Sequence, residues 1–472
     1  MIRQTSWRAL LLAAGTALAG FTPANAADLG GNCCADLEER IAELEATTAR
    51  KGNRKVSLEI GGQVNEAVLF WDDGGESNAY VVTNDNARTR FRFKGKAKIN
   101  ADWEAGYALE TGVRTANSKR FTQDNPKGND TATDVGFDLR DSYWFLKSKT
   151  YGGVSVGFQA DASDAITEIN LTQTKDFAKL SDMEDTGLGL TLRSSANGQL
   201  TTTGAASARL SFRRLIGDAG DQPGDGDRRH NLVKYETPVF AGFTGQASWG
   251  EDDVWDLGLR YAGEFGGFKV AAGVAYGETT DGGDTNTSCN IRLGTAAAGN
   301  LDQQCSQFGG SVSVLHEATG LFASAGAGIK TDDLLDEAAV FAGQNADDEQ
   351  TFYAFQAGLE RKFIPLGKTT IFGEYYNYEG GANNRRGIAA NDALDPFGGS
   401  ASAIWSTGLE AYGFGIAQGI DNAAMVLYLN YRHVEGELTL KQIGGGGVAS
   451  GPTADVGLED LDLVQTGAII KF

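Results

Sequence analysis

The sequence predicts an all-β fold, a transmembrane antiparallel β-barrel of about sixteen strands preceded by a short N-terminal periplasmic helix. Three observations carry that prediction. Apolar and polar residues alternate with a period of two from Val56 to the last residue, Phe472, the pattern of strands whose faces meet different environments. Glycine is abundant, with 64 of 472 residues, while proline is scarce at 7. Many short strands joined by tight turns have that composition, because glycine supplies the positive φ that such turns demand. Finally, no segment after the N-terminal leader has the apolar length of a membrane helix, and lipid cannot satisfy open strand edges, so a membrane location demands a closed barrel.

The composition also excludes. Methionine (3), histidine (3) and cysteine (4) are rare, which argues against a haem, iron–sulfur or multi-histidine metal protein. No cofactor is expected. A formal charge of −21 makes nucleic acid an unsuitable partner. Acidic external loops account for the charge without bearing on the lumen.

Residues 1–26 read as a signal peptide: Arg3 and Arg8 precede an apolar run over residues 9–21, and Ala24-Asn25-Ala26 has the small-x-small form of a cleavage site. Residues 27–54 form a periplasmic N-terminal segment. Within it, Leu37, Ile41 and Leu44 follow 4-then-3 spacing, extended by Cys34 and Thr48, so residues 35–50 carry a coiled-coil-like seam. Two heptads are too few for a stable isolated helix. A coil between identical subunits and a helix docked on its own chain both remain open. Asn32 before Cys33 does not fit a lipoprotein cleavage site.

Residues 55–472 are the barrel. Val56, Leu58, Ile60, Gly62 and Val64 share the first apolar face, which runs to the aromatic pair Phe70-Trp71. Residues 72–78 read as an exposed loop. Residues 86–99, NARTRFRFKGKAKI, place Arg88, Arg90, Arg92, Lys94, Lys96 and Lys98 at every second position, with apolar or small residues between them. In a barrel, the cationic face lines water and Phe91 and Phe93 face lipid or a neighbouring subunit. The next strand sets Trp103, Tyr107, Leu109 and Val113 against Glu104, Glu110 and Arg114. A polar loop over 117–133 follows, then strands around 140–147 and 154–161. Short turns near Asn100, Gly152-Gly153, 238–242, Gly266-Gly267, 365–368 and Asp421-Asn422 alternate with longer loops, the rhythm of outer-membrane barrels. The last strand aligns Val464, Thr466, Ala468, Ile470 and the terminal Phe472, whose aromatic carboxylate is an assembly signal for the outer-membrane insertion machinery.

Four blocks then carry a resemblance: residues 33–65 (CCADLEERIAELEATTARKGNRKVSLEIGGQVN), 162–171 (ASDAITEINL), 235–265 (YETPVFAGFTGQASWGEDDVWDLGLRYAGEF) and 428–438 (YLNYRHVEGEL). The sequence resembles the alphaproteobacterial general porin family, the outer-membrane porins of the Rhizobium and Brucella type. The resemblance implies homotrimers of sixteen-stranded barrels that pass small hydrophilic solutes and ions passively, set in outer-membrane lipid and lipopolysaccharide. It departs mainly in the loops 279–307 and 385–402.

General porins fold their third external loop inward, and residues 162–227 occupy the matching position. The resemblance makes this the constriction loop. Asp161, Asp164, Glu168 and Asp176 supply its acidic side, and Ile166, Ile169 and Leu171 are expected to pin it to the wall. Arg88, Arg90, Arg92 and Lys94, with Arg114 and Arg140 on the next two strands, supply the basic wall. Opposite charges across a narrow aperture focus a transverse field. The plainer reading is that the charges only keep the lumen solvated.

Cys289 and Cys305 bracket an external loop in an oxidising compartment and are expected to form a disulfide. Cys33 and Cys34 are adjacent and better placed to bridge subunits. GDAGDQPGDGD, residues 217–227, lacks the spacing and closing Glu of a calcium loop, so it reads as a solvated turn and no metal is expected. No serine elbow or clustered triad points to an enzyme. Two alternatives stand beside the general porin: a solute-specific sugar or anion channel using Tyr375, Tyr376 and Tyr378, and a structural anchor that reaches peptidoglycan through residues 35–50.

Overall fold

The computed structural model describes residues 55–128, 136–202, 210–217, 221–226, 229–250, 253–280 and 304–472, without the side chains of 384–386. The expected signal peptide, the coiled-coil segment and Cys33, Cys34 and Cys289 lie outside the described residues.

The strands follow in the order β1 (Glu59–Asp72), β2 (Ser77–Thr83), β3 (Arg90–Lys98), β4 (Trp103–Arg114), β5 (Gly136–Ser148) and β6 (Gly152–Ala160). After a long insertion come β7 (Arg229–Glu236), β8 (Phe243–Gly250), β9 (Val254–Phe265), β10 (Phe268–Thr279), β11 (Cys305–His316) and β12 (Leu321–Asp332). The last are β13 (Glu349–Ile364), β14 (Gly367–Glu379), β15 (Asn383–Ile388), β16 (Ser402–Ile420), β17 (Met425–Gln442), β18 (Thr453–Val456) and β19 (Leu461–Lys471). Every pairing of these strands is antiparallel, and β1 pairs with β19, so the sheet closes on itself. β2 and β3 both pair with β1, β14 and β15 with β16, and β18 and β19 with β17. Each of these couples is one interrupted stave, and the barrel has sixteen staves. Among the described residues no helix is long and apolar enough to cross a membrane. The strands do it.

Closure sorts side chains by parity. In β1, Gln63 and Asn65 point inward and are buried, while Ile60 and Val64 are exposed on the outside. The outer wall of β10 and β11 is apolar over its middle, with Val270, Ala272, Val274, Phe308 and Val312. Both chain ends of the barrel meet at the short-turn end, where Phe472 exchanges backbone hydrogen bonds with Gly62 at 2.9 and 3.1 Å. Its ring lies against that glycine, since a Cβ at Gly62 would stand 2.6 Å from the ring.

The exposed loop expected over residues 72–78 is exposed from residue 74 on and closes as a tight turn: Asp73 takes the amides of Gly75 and Glu76 on its carboxylate, and its own amide closes on Glu76. One expectation changes here: the cationic stretch is not one strand. Asp85–Ala87 forms a 3-10 turn capped by the Asn84 side chain, and the regular ladder begins only at Arg90. The break is stabilised from inside, where Gln63 and Asn65 donate side-chain amides to the Ala87 carbonyl at 2.7 and 3.1 Å.

The insertion between β6 and β7 fills much of the lumen. Phe177, Leu180, Met183, Leu188, Phe212 and Leu215 are fully buried against inward residues of the wall, among them Leu69, Trp71, Leu409, Leu461 and Leu463. Each such side chain contributes about 1.5–3 kcal/mol on burial. Phe177 stacks on Tyr428 at 4.7 Å between ring centroids. Ile166 and Ile169 press on the wall at Gly273, where a Cβ would lie 2.7 and 2.8 Å from their methyl groups. Ser311 and Ser313 hydroxyls accept the amides of Ile169 and Leu171. The barrel therefore carries an apolar interior on its β12–β19 side, continued by β1 and β2, and a polar interior on its β3–β7 side.

Candidate functional site

The wet wall is built by β3, β4 and β5. β3 pairs with β4 so that Arg92 stands opposite Glu110. Glu110 is almost wholly buried, and its two oxygens serve several guanidiniums: Arg92 donates to Oε2, Arg140 Nε donates to Oε1 at 2.7 Å, and Arg90 Nη1 lies 3.8 Å from Oε1. Arg140 reaches this carboxylate because of a β-bulge. Glu110 pairs with Asp141 and Thr111 with Leu139, which leaves Arg140 as the extra residue and turns both Arg140 and Asp141 to the lumen. Asp141 in turn meets Arg229 at 3.5 Å. Above the break in the first stave, Arg88 donates to Asp138 at 2.7 Å, and Arg114 donates to Asp85 at 2.7 Å.

Across from this wall stands the insertion. Between them lies a cavity of about 320 Å³, with Arg88, Arg90, Arg140 and Arg229 on the wall side. Asp164, Glu168, Asp176 and Asp185 line the loop side, together with Lys175 and Lys179. Arg90 also lines a second cavity of about 150 Å³ with Arg92, Lys94, Glu59 and Glu110. Glu59 and Lys94 continue into a third of about 420 Å³, whose walls include Lys96, Glu104, Lys147 and Lys234. The shared residues set the three cavities in succession along the wall, toward the short-turn end.

The sequence-predicted residues divide. Arg88, Arg90 and Arg140 border the first cavity, and Arg92 and Lys94 line the second. Arg114 is withdrawn onto Asp85 and Asp138. Of the loop carboxylates, Asp164, Glu168 and Asp176 reach the cavity, but Asp161 does not. Asp161 is buried in the root of the insertion, accepting the Asp164 amide and the Ser163 hydroxyl. Burial and the neighbouring Asp256, Asp164 and Asp225 carboxylates hold its pKa well above the usual range. Nor is the loop face purely acidic: Lys179 pairs with Glu168 at 2.5 Å and Asp182 at 2.9 Å, and Asp176 pairs with Lys471 of the last strand at 2.6 Å. Asp185 stands 3.0 Å from Lys119, yet burial, reinforced by Asp85 and Asp182, raises its pKa to about 6.

Several members of the site escaped the sequence reading. Arg229 shares parity with the outward Val233 and Tyr235, so alternation assigns it to lipid; as the first residue of β7 it turns to the cavity instead. Asp85, Asp138 and Asp141 gave no signal beyond their proximity in sequence to arginines. In GDAGDQPGDGD, Asp221 pairs with Lys119 and Arg213 at 2.9 and 3.0 Å, and Asp225 accepts the amides of Ala165 and Thr167. Asp218 and Asp227 lie outside the described residues.

The three tyrosines do not form a lumen ladder. Tyr375 faces outward beside Tyr353, and Tyr376 and Tyr378 face inward but are covered by the insertion. Tyr376 donates to the Lys179 carbonyl at 2.8 Å, Tyr378 donates to Gln222 at 2.8 Å, and Arg432 pairs with Glu374 at 2.6 Å behind them. They anchor the loop. Cys305 is disulfide-bonded, and its partner lies outside the described residues.

Comparison with known proteins agrees with the barrel. No curated protein matches in sequence. The structure is similar to OprB of Pseudomonas putida, with a TM-score of 0.51 at 10% identity over 93% of this chain and 97% of that one. It also aligns with an anion-selective porin from Comamonas acidovorans (TM-score 0.47, 16% identity, 88% and 100% covered). The OmpF of Salmonella typhi, solved with daunomycin, aligns at TM-score 0.45 and 12% identity, covering 89% and 98%. A family model described as Gram-negative porin matches residues 9–393. With a closed barrel and that match over most of its length, the chain belongs to the Gram-negative porins, channel-forming proteins of the outer membrane.

Proposed function

We propose that this porin is a homotrimeric, non-enzymatic general channel of the alphaproteobacterial type, exported by a cleaved signal peptide over residues 1–26. Its aperture is the cavity between the Arg88, Arg90, Arg140 and Arg229 guanidiniums and the inward loop, and it passes small hydrophilic solutes with a preference for anions. The observation that supports this is the succession of three polar cavities along the wall, bordered by fixed charges of both signs. On the wall, Arg88, Arg90, Arg92, Arg114, Arg140 and Arg229 outnumber Asp85, Glu110, Asp138 and Asp141. Asp164, Glu168 and Asp176 modulate that excess; Asp161 serves the fold of the loop root. Cys289 is the partner of Cys305, and Phe472 is the assembly signal.

A sugar-specific channel loses its support, because Tyr376 and Tyr378 are covered by the loop. Single-channel recording of the purified protein in planar bilayers, with sugars added as blockers, tests the reading. Large, ohmic, unblocked conductance is expected; saturable block means a specific channel, and no conductance leaves only the structural role through residues 35–50.

A further inference from the structure

The pair of strands that closes the barrel has no turn to hold it. Every other pair of neighbouring staves is consecutive in the chain, so a turn or loop keeps the two within reach. β1 and β19 meet with almost the whole barrel between them in sequence, from Gln63 against Lys471 at the short-turn end to Asp72 against Asp462 at the loop end. Once that pair parts, the longest loop in the barrel must close again, and closure entropy grows with loop length. Parting also exposes two strand edges that lipid cannot satisfy.

The insertion runs along the inside of this seam from one end to the other. At the short-turn end Asp176 holds both strands. Its carboxylate accepts from Lys471 Nζ of β19 at 2.6 Å, and its carbonyl accepts from the Asn65 side chain of β1 at 3.1 Å. Phe177 stacks on Tyr428 of β17, the neighbour of β19, and Tyr428 donates its hydroxyl to the Asn65 side chain at 2.8 Å. Between the two ends Gly187 lies on Leu463, where a Cβ would come within 2.8 Å of a leucine methyl group. Leu188, Leu190 and Leu192 are fully buried in one cluster with Leu69 and Trp71 of β1 and Leu461 and Leu463 of β19.

At the loop end Arg193 holds both sides again. Its guanidinium donates to the two oxygens of Asp73, directly after β1, at 3.1 and 2.9 Å. Its carbonyl accepts the amide of Glu459, two residues before β19, at 3.0 Å, and Ser195 donates its amide to the Gly457 carbonyl at 3.0 Å. We propose that residues 176–195 are a clamp that closes the barrel, gripping the first and the last strand together at each end of their shared ladder. The clamp goes beyond the channel reading and does not depend on its charge preference. Its two grips span the one junction that the chain's own connectivity leaves open. Because Asp176 also lines the first cavity, one residue sets both the closed seam and part of the loop side of the aperture.

The test uses the full-length protein in lipid bilayers, with Cys33 and Cys34 replaced by serine. Asp176→Ala/Arg193→Met removes both grips; if that variant does not fold, Asp176→Ala alone is read the same way. Amide hydrogen exchange is followed strand by strand, and the unfolding midpoint by circular dichroism. With hydrogen bonds to charged groups lost at the seam, exchange in β1 and β19 is expected to rise about tenfold while β11 and β12 stay unchanged. A disulfide across the seam, Val68→Cys/Thr466→Cys, is expected to restore both exchange and midpoint. The same bond between two consecutive strands, Ala323→Cys/Ala357→Cys, is expected to restore neither. Equal acceleration in all strands, or equal rescue by the two disulfides, overturns the clamp and leaves the insertion as a filler of the lumen.

Discussion

Arg140 Nε donates to Glu110 Oε1 at 2.7 Å, across a bulge that exists only because Arg140 has no partner in the β4 ladder. The same carboxylate takes Arg92 on its other oxygen and has Arg90 within 3.8 Å. Glu110 is the counter-charge that lets several guanidiniums crowd one patch of lumen wall. Glu110→Gln is therefore expected to raise anion preference. A unit charge about 4 Å away in water is worth about 1 kcal/mol, or about fivefold in partition. Reversal potentials under a potassium chloride gradient read the shift. Because the group is buried, the variant is also expected to lose about 3–5 kcal/mol of stability if the arginines cannot rehydrate.

Tyr376 holds the insertion to the wall through the Lys179 carbonyl, beside the Glu374 carboxylate of its own strand. Tyr376→Phe leaves a buried carbonyl unpaired, a loss of about 1–3 kcal/mol. The expected outcome is faster amide hydrogen exchange over residues 177–185 and noisier open-channel current, with the barrel itself intact by circular dichroism.

Asp185 gives the aperture a pH response. Its pKa in the docked loop, about 6, lies above that of a free carboxylate, so the docked loop binds this proton more tightly. Docking is strongest at low pH, and that contribution is lost as pH rises from about 4 through 6. Over the upper part of that window, acidification removes a negative charge from the cavity lining. Anion preference is expected to increase between pH 7 and pH 5, and Asp185→Asn to abolish that part of the response. Reversal potentials at several pH values, for wild type and variant, check it.

Cys305 stands at the head of β11, and the proposed partner Cys289 closes a short external loop. Closing a loop of about 15 residues stabilises by about 3 kcal/mol in the chain-entropy model. Cys305→Ser is expected to lower the unfolding midpoint without changing conductance. Peptide mapping before and after reduction identifies the bonded pair.

Much of this architecture was legible because a barrel keeps two solvents apart, so parity alone reports orientation. Val64 against Gln63 and Phe93 against Arg92 are examples. Parity fails wherever both faces are dry. Leu69, Trp71, Leu409 and Leu463 point inward yet are apolar, because the insertion covers them, and no alternation marks such positions. The same covering turned Tyr376 and Tyr378 from prospective ligand groups into anchors. Sequence could not show the bulge that turns Arg140 and Asp141 to the same side, since one unpaired residue leaves no compositional trace. It also could not bring Arg229 to Asp141, which the fold joins across the whole insertion.

In the proposed function, the guanidiniums facing the inward loop set the charge preference of the channel. Arg90 and Arg92 both lean on Glu110, which keeps Arg140 when they are removed, so the fold is expected to tolerate their loss. The most direct measurement is the reversal potential of Arg90→Gln/Arg92→Gln under a potassium chloride gradient. A shift toward cations relative to wild type is expected, whereas an unchanged reversal potential at unchanged conductance overturns the assignment of these guanidiniums.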